Sequence, residues 1–280
     1  MRWIPWDAAL AGAVCLGGPG LAWRRVGARA SVLAAMAREA ALVLVLYALW
    51  QFGGRLSLMG TSGAFERGRQ VWQIQRWLQL PDEAMLERWA LGVPWFMRAC
   101  NVYYLAAHVP VLIGFLIWMF VRHRGEYRRT RNVLAIGTAA CFAIQLVPVA
   151  PPRMYPQLGF VDAAKVFGQS VYPDLGAAGP AQLSALPSVH VAWALLVGFV
   201  AWRVSRSRWR YLAVGHAVAT VVVVVVTANH WWLDAIAAAG CMAAAWAALE
   251  ALSRARRRPW PATTGLRPAP PGPEAALTSR

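Results

Sequence analysis

Charge is scarce in this chain, and lysine is nearly missing. Charged residues make up 14% of the 280, and Lys165 stands alone against 27 arginines. A soluble domain carries about 25% charged residues. That class is therefore excluded, and a composition that is 59% hydrophobic points to a protein dissolved in a bilayer. Acids are scarcer still, 12 against 28 basic residues, for a net charge of +16. Such a balance suits nucleic acid when the basic groups form a surface patch. Here they come in short clusters between apolar runs, as cytoplasmic loops do, so no nucleic-acid partner is expected. Cysteine is sparse as well. Cys15, Cys100, Cys141 and Cys241 lie within or at the ends of apolar runs with no paired spacing, which argues against a disulfide framework or a zinc site. Acid clusters of the kind that hold magnesium are lacking, so no metal or cofactor is expected. The first apolar run, Ile4 to Trp23, carries Asp7 and ends in Arg24 and Arg25, and this does not read as a cleavable signal. Few lysines beside abundant Ala, Gly and Val suggest a GC-rich bacterial genome.

What the chain does have is apolar length. Seven runs, near 4–23, 31–52, 99–121, 132–149, 189–204, 211–228 and 231–252, approach the roughly 20 residues a helix needs to cross hydrocarbon. Arginine clusters follow the first (Arg24, Arg25, Arg29), third (Arg122 to Arg131), fifth (Arg203 to Arg210) and seventh (Arg254 to Arg258) runs. Every second junction is basic. These junctions are assigned to the cytoplasm, and 53–98, 150–188 and the turn at 229–230 to the outside. Gly17-Gly18-Pro19-Gly20 leaves two alternatives for the first run, a span or a re-entrant piece. Val221 to Val226 would be a strand in water. In hydrocarbon a lone strand leaves its backbone unpaired, so a helix is expected.

Two stretches carry the chemistry. Leu186-Pro187-Ser188-Val189-His190 sits where a polar loop becomes an apolar helix, and a helix start with its unpaired N–H groups is a site for a phosphate-sized anion. In Asn229-His230-Trp231-Trp232-Leu233-Asp234, His230 and Asp234 are four apart and share a helix face, so the carboxylate can orient the imidazole. The topology brings both to the outer interface. Arg153 joins them from Pro151-Pro152-Arg153, where the prolines end the fourth run and stiffen the backbone. An arginine can clamp phosphate oxygens, one histidine can attack phosphorus, and another can protonate the leaving oxygen.

Pro187-Ser188-Val189-His190, His230 with Asp234, and Pro151-Pro152-Arg153 before them resemble the type 2 phosphatidic acid phosphatase superfamily, and in particular its inositol phosphorylceramide synthase-like branch. The resemblance covers about residues 31 to 252. It implies an all-α integral membrane protein with a six-helix transmembrane core, here with an extra N-terminal helix. It implies His230 as the nucleophile that becomes a phosphohistidine, Asp234 as its support, His190 as general acid, and Ser188 and Arg153 as phosphate ligands. The family's phosphatases carry a lysine seven residues before the first-motif arginine and an arginine six before the nucleophile, and here those positions are Leu146 and Val224. Fewer cations suit a phosphodiester with one negative charge. The resemblance thus leaves two acceptors open, water or a polyol alcohol, and implies a lipid substrate.

Other polar residues are weaker candidates. Asn101, Tyr104 and His108 share one face of the third run, as headgroup contacts or as an interhelical network. Lys165 is a candidate substitute cation. His216 reads as structural, and the adjacent Arg38 and Glu39 as a pair or as snorkelling residues. Residues 62–97 read as two amphipathic interfacial helices, with stripes of Val71, Ile74 and Leu78, then Met85, Leu86, Trp89 and Ala90, serving as a structural belt or a lid. The expected organisation is an N-terminal helix and basic loop over 1–30, the membrane domain over 31–252, and a disordered cytoplasmic tail over 253–280. The expected place is the bacterial plasma membrane, with the site outside. The second function class is a non-catalytic lipid-binding or scaffold protein on the same fold. The sequence leaves oligomeric state open.

Overall fold

The computed structural model describes residues 5–22, 28–53, 62–170 and 180–257, and among them every element longer than an isolated bridge is helical. The α-helices are α1 (Trp6–Ala22), α2 (Ala28–Gly53), α3 (Ala64–Trp77), α4 (Glu83–Leu91), α5 (Pro94–Ala106) and α6 (His108–Arg122). They continue as α7 (Arg124–Gln145), α8 (Ala163–Val166), α9 (Val189–Val204), α10 (Trp209–Val226) and α11 (Trp232–Arg257). The tail from Pro259, Asp174, Arg24 and Arg25 lie outside the described residues.

Seven spans are not reproduced by length and apolarity. Among the described residues α10 and α11 qualify, and α5 with α6 makes a third if that bent pair is one span. Two physical reasons separate these helices from the apolar runs. Pro110 has no N–H to give the carbonyl of Ala106, so the run over 99–121 breaks at Ala107 and bends by 52°. Helix α9 has 16 residues, about 24 Å of rise, short of the roughly 30 Å hydrocarbon core. Helix α7 starts at Arg124, ahead of the expected 132, and stops at Gln145, before Pro148. Helix α1 continues through Gly17–Gly20, and the valine run of α10 is helical as expected.

The core is α7, α9 and α11 packed together with α6 and α10. Small residues set the spacing. A side chain on Gly198 would meet Ala217 Cβ at 3.1 Å and the Ala213 carbonyl at 3.2 Å, so glycine is what lets α9 and α10 touch backbone to backbone. Trp193 Nε1 donates to Thr138 Oγ1 at 3.0 Å between α9 and α7. At the arginine-rich end Glu39 pairs with Arg131, 2.6 Å away, and accepts from Tyr127, so its partner is on α7 and not the adjacent Arg38.

The two amphipathic helices are present as α3 and α4, with Asp82 capping α4 by accepting from Ala84 N–H at 2.9 Å. Their apolar stripes are divided between two sides: Ile74, Leu78, Met85 and Trp89 are exposed, while Val71 and Ala90 are buried beside Gly68, Gln75, Glu83 and Glu87. Apolar side chains can face outward where the surroundings are lipid, and small or polar ones then face the protein. Gly68 is the tightest point, since any Cβ there would overlap the Tyr155 hydroxyl and the Ala150 carbonyl. Gln75 and Glu83 accept from the N–H groups of Leu233 (3.0 Å) and Trp232 (3.4 Å), so this layer caps the start of α11.

Glu87 is fully buried and accepts from Val161 N–H at 2.9 Å. Desolvation by burial pushes its carboxyl up to about 7; the nearby Asp162 adds to the rise, and the Val161 and Arg88 contacts oppose it. A carboxyl raised on folding holds its proton in the folded state after the unfolded chain has released it. Stability therefore falls as pH rises from about 4.5 through 7. Glu87→Gln is expected to flatten this dependence. Between pH 5 and pH 8 the wild type loses roughly 2–4 kcal/mol that the variant keeps, measured by thermal unfolding in detergent at both pH values.

Candidate active site

Three loop segments carry the motifs, and backbone bonds tie them together. Ala185 and Leu183 exchange bonds with Val149 (3.2 and 2.6 Å), Arg153 N–H donates to the Ala228 carbonyl (2.9 Å), and Ser188 N–H donates to the Asp234 carbonyl (3.1 Å). Beneath them lies an apolar cluster that includes Val149, Ala150, Tyr155, Leu183, Ala185, Ala228 and Trp231, with Ala64, Val71 and Ala84 from α3 and α4. Trp231 is its anchor, with no exposure and Nε1 donating to the Ala150 carbonyl at 3.0 Å. The layer of α3 and α4 thus packs against all three motifs.

His230 follows the end of α10, where Ala228 takes a left-handed φ of 50° and lets the N–H groups of Asn229 and His230 both reach the Val224 carbonyl. Its Nδ1 lies 2.9 Å from the Ala185 carbonyl and 3.1 Å from Asp234 Oδ2. Both partners accept, so Nδ1 carries the proton and Nε2 is left as a lone pair. That Nε2 is buried and has no hydrogen-bond partner. Asp234 has no exposure, and its Oδ2 also accepts from Trp231 N–H at 2.8 Å. The second imidazole, His190 in the first turn of α9, lies 5.9 Å from His230 between ring centroids.

Arg153 is buried on a 3-10 turn, and its Nη1 donates to Asn229 Oδ1 at 2.8 Å, with Asn229 Nδ2 donating in turn to Thr227 Oγ1. Asn229 was not singled out from sequence, although it is the residue before His230, and it aims the guanidinium. Ser188 is the N-cap of α9, one residue before its first turn. It is fully buried, and its Oγ accepts from Val191 N–H at 3.4 Å. Its hydroxyl hydrogen is not consumed by that bond.

A cleft opens beside the histidines, lined among others by Asn101, Tyr104, Arg153, Asp162, Gln169 and Asn229. Tyr104 is its wall towards the site, 4.7 Å from His190 and 6.3 Å from His230. Asn101 donates to Gln169 Oε1 at 3.0 Å, and its buried Oδ1 has no hydrogen-bond partner. The other candidates fall elsewhere. His108 packs behind His190 and does not line this cleft, and Lys165 is exposed and does not line it either. His216 accepts or donates at 2.6 Å with the Tyr103 hydroxyl, a structural contact between α10 and α5. Val224 is buried in the core, and Leu146 ends α7.

The profile of the PAP2 superfamily matches residues 69–249, which takes in all three motifs and most of the helices that hold them. No match was found among curated proteins or solved structures. With the profile spanning well over half of the 280 residues, the chain belongs to the PAP2 superfamily.

Proposed function

We propose that this protein is a lipid phosphatase or phosphotransferase that works through a phosphohistidine on His230 at the extracytoplasmic face of a bacterial membrane. The observation that carries the reading is the fixed tautomer of His230. With Nδ1–H committed to Ala185 and Asp234, the buried Nε2 is the nucleophile. Its lone pair forms a P–N bond as the P–O bond to the leaving group breaks, and His190 gives that oxygen a proton. In the second half an acceptor hydroxyl loses its proton to His190, its oxygen bonds phosphorus, and the P–N bond breaks. Arg153, aimed by Asn229, and Ser188 hold the phosphate oxygens.

The placement outside rests on arginines. Arg122, Arg124, Arg203, Arg208 and Arg254 stand at the helix ends opposite those that carry His190 and Asp234. The leucine and valine at 146 and 224 favour a singly charged phosphodiester over a dianion. The polar cleft at Asn101, Gln169 and Asn229 suits a hydroxyl-bearing headgroup or acceptor, in keeping with the inositol phosphorylceramide synthase-like branch.

The test is purified protein in EDTA with phosphorus-labelled phosphatidate and phosphatidyl diesters, with and without polyols. The expected result is phosphate release or headgroup transfer, with label on acid-sensitive, alkali-stable sites of the quenched protein. Dependence on the polyol separates transferase from hydrolase. An inert protein that still binds the lipids overturns the enzymatic reading in favour of a scaffold. Activity that returns only with added divalent ion overturns the metal-independent mechanism.

A further inference from the structure

Four histidines and two tyrosines run inward from the site. His230 and His190 are followed by His108, 4.7 Å from His190 between ring centroids at an interplanar angle of 67°, and then by His216 and Tyr103 at 5.8 and 5.5 Å from His108. The catalytic reading uses the first two. His108 is buried at the start of α6, just past the break at Ala107, and its Nδ1 lies 3.1 Å from the Tyr104 carbonyl. A carbonyl can only accept, so His108 is fixed with its proton on Nδ1 and its lone pair on Nε2. That Nε2 is buried with no hydrogen-bond partner, and so is Nδ1 of His190 on the ring packed against it. Two buried nitrogens without partners on neighbouring rings, one of them able only to accept, are complementary although no hydrogen bond joins them here.

We infer that His108 is a positioning residue for the general acid, its Nε2 accepting Nδ1–H of His190 as the site closes on substrate. The inference rests on the reading of His190 as the acid. Its consequence is chemical. With Nδ1–H held by His108, the proton that His190 exchanges is always the one on Nε2. Protonated, His190 gives that proton to the leaving oxygen; neutral, it presents a lone pair at the same atom to the incoming hydroxyl. His108 does for His190 what Asp234 does for His230, with a different partner for a reason. The nucleophile becomes cationic and gains from a carboxylate. An acid must release its proton, and a neutral imidazole orients the ring without trapping the charge. The titratable groups facing His108 are Tyr103 and Tyr104 from α5, His190 from α9 and His216 from α10, with His230 beyond.

A leaving-group comparison isolates this role. Phosphoenzyme formation is followed in single turnovers with a phosphatidyl diester, whose leaving alkoxide must be protonated, and with a nitrophenyl phosphodiester bearing an alkyl tail, whose phenolate leaves unaided. The expected result for His108→Leu is a loss of roughly 10–100-fold with the phosphatidyl diester and under about 3-fold with the nitrophenyl ester. His108→Gln, which restores an acceptor oxygen, recovers part of the first rate. Equal losses on both substrates, or no loss on either, overturn the inference, and so does His108→Gln behaving like His108→Leu. His190→Ala in the same assay separates the two levels. If it too is indifferent to the leaving group, the assignment of His190 as acid fails; if it discriminates and His108→Leu does not, the inference alone falls.

Discussion

His230→Ala is expected to lower the rate of phosphate transfer by at least about 10⁴-fold and to leave the quenched protein unlabelled. The size of the effect follows from what remains in the site. Arg153 stays aimed by Asn229, Ser188 still caps α9, and His190 keeps its place in the first turn. The variant can therefore bind substrate and protonate a leaving group, but it has no group to attack phosphorus. Binding should survive, measured by lipid retention, while kcat collapses. The fold should survive as well, because the link between these segments does not depend on the imidazole. Trp231 Nε1 to the Ala150 carbonyl, Arg153 N–H to the Ala228 carbonyl and Ser188 N–H to the Asp234 carbonyl all remain. The loss of the His230 bond to Ala185 is worth about 1–3 kcal/mol of stability. Thermal unfolding in detergent checks that. Label retained on the variant would move the nucleophile to His190 and refute the assignment.

The polar site was legible in the sequence because its residues are local. Ser188 and His190 straddle the start of α9, and the prolines around Arg153 announce a stiff turn; His230 stands in the turn before α11, so its four-residue spacing to Asp234 brings the pair together without the shared helix face that was expected. What the sequence did not disclose are the long-range partners. Asn229 as the guide of Arg153, Gln75 and Glu83 as caps of α11, and Glu87 under Val161 are set by how α3 and α4 lie on the loops. The amphipathic pattern of α3 and α4 gave their existence but not which side chains turn inward: Val71 and Ala90 are buried while Ile74, Leu78, Met85 and Trp89 are exposed, since periodicity finds an apolar stripe without saying whether lipid or protein lies against it. Apolar length misled for the run over 99–121. Hydropathy sums over Pro110 as if it were another spacer, and the backbone does not. His108 is the instructive case. It shares a helix face with Asn101 and Tyr104 by spacing, and the bend at Ala107 then carries it away from the cleft they line and behind His190.

Asp234→Asn is the second large effect, with an expected fall in kcat of roughly 10²–10⁴-fold and a much smaller change in KM. The substitution is nearly isosteric, and an amide oxygen in the place of Oδ2 can still accept from His230 Nδ1 and Trp231 N–H, bonds of 3.1 and 2.8 Å in the wild type. What is lost is charge. In the proposed transfer the ring becomes cationic as His230 Nε2 bonds phosphorus, in a site where Asp234 has no exposure to water, and there a carboxylate stabilises the cation far better than an amide dipole does. Asp234→Ala removes the hydrogen bond along with the charge and should fall at least as far. The stability of the two variants separates these contributions. A buried carboxylate without its cation is expensive to desolvate, so Asp234→Asn should melt at or above the wild-type temperature although its activity is lost. Asp234→Ala leaves Trp231 N–H and His230 Nδ1 short of an acceptor and should melt below it. Activity lost alongside stability in Asp234→Asn would mean that the carboxylate serves the fold. Activity lost with stability kept or raised places its charge in the transfer step, as the proposed phosphohistidine requires.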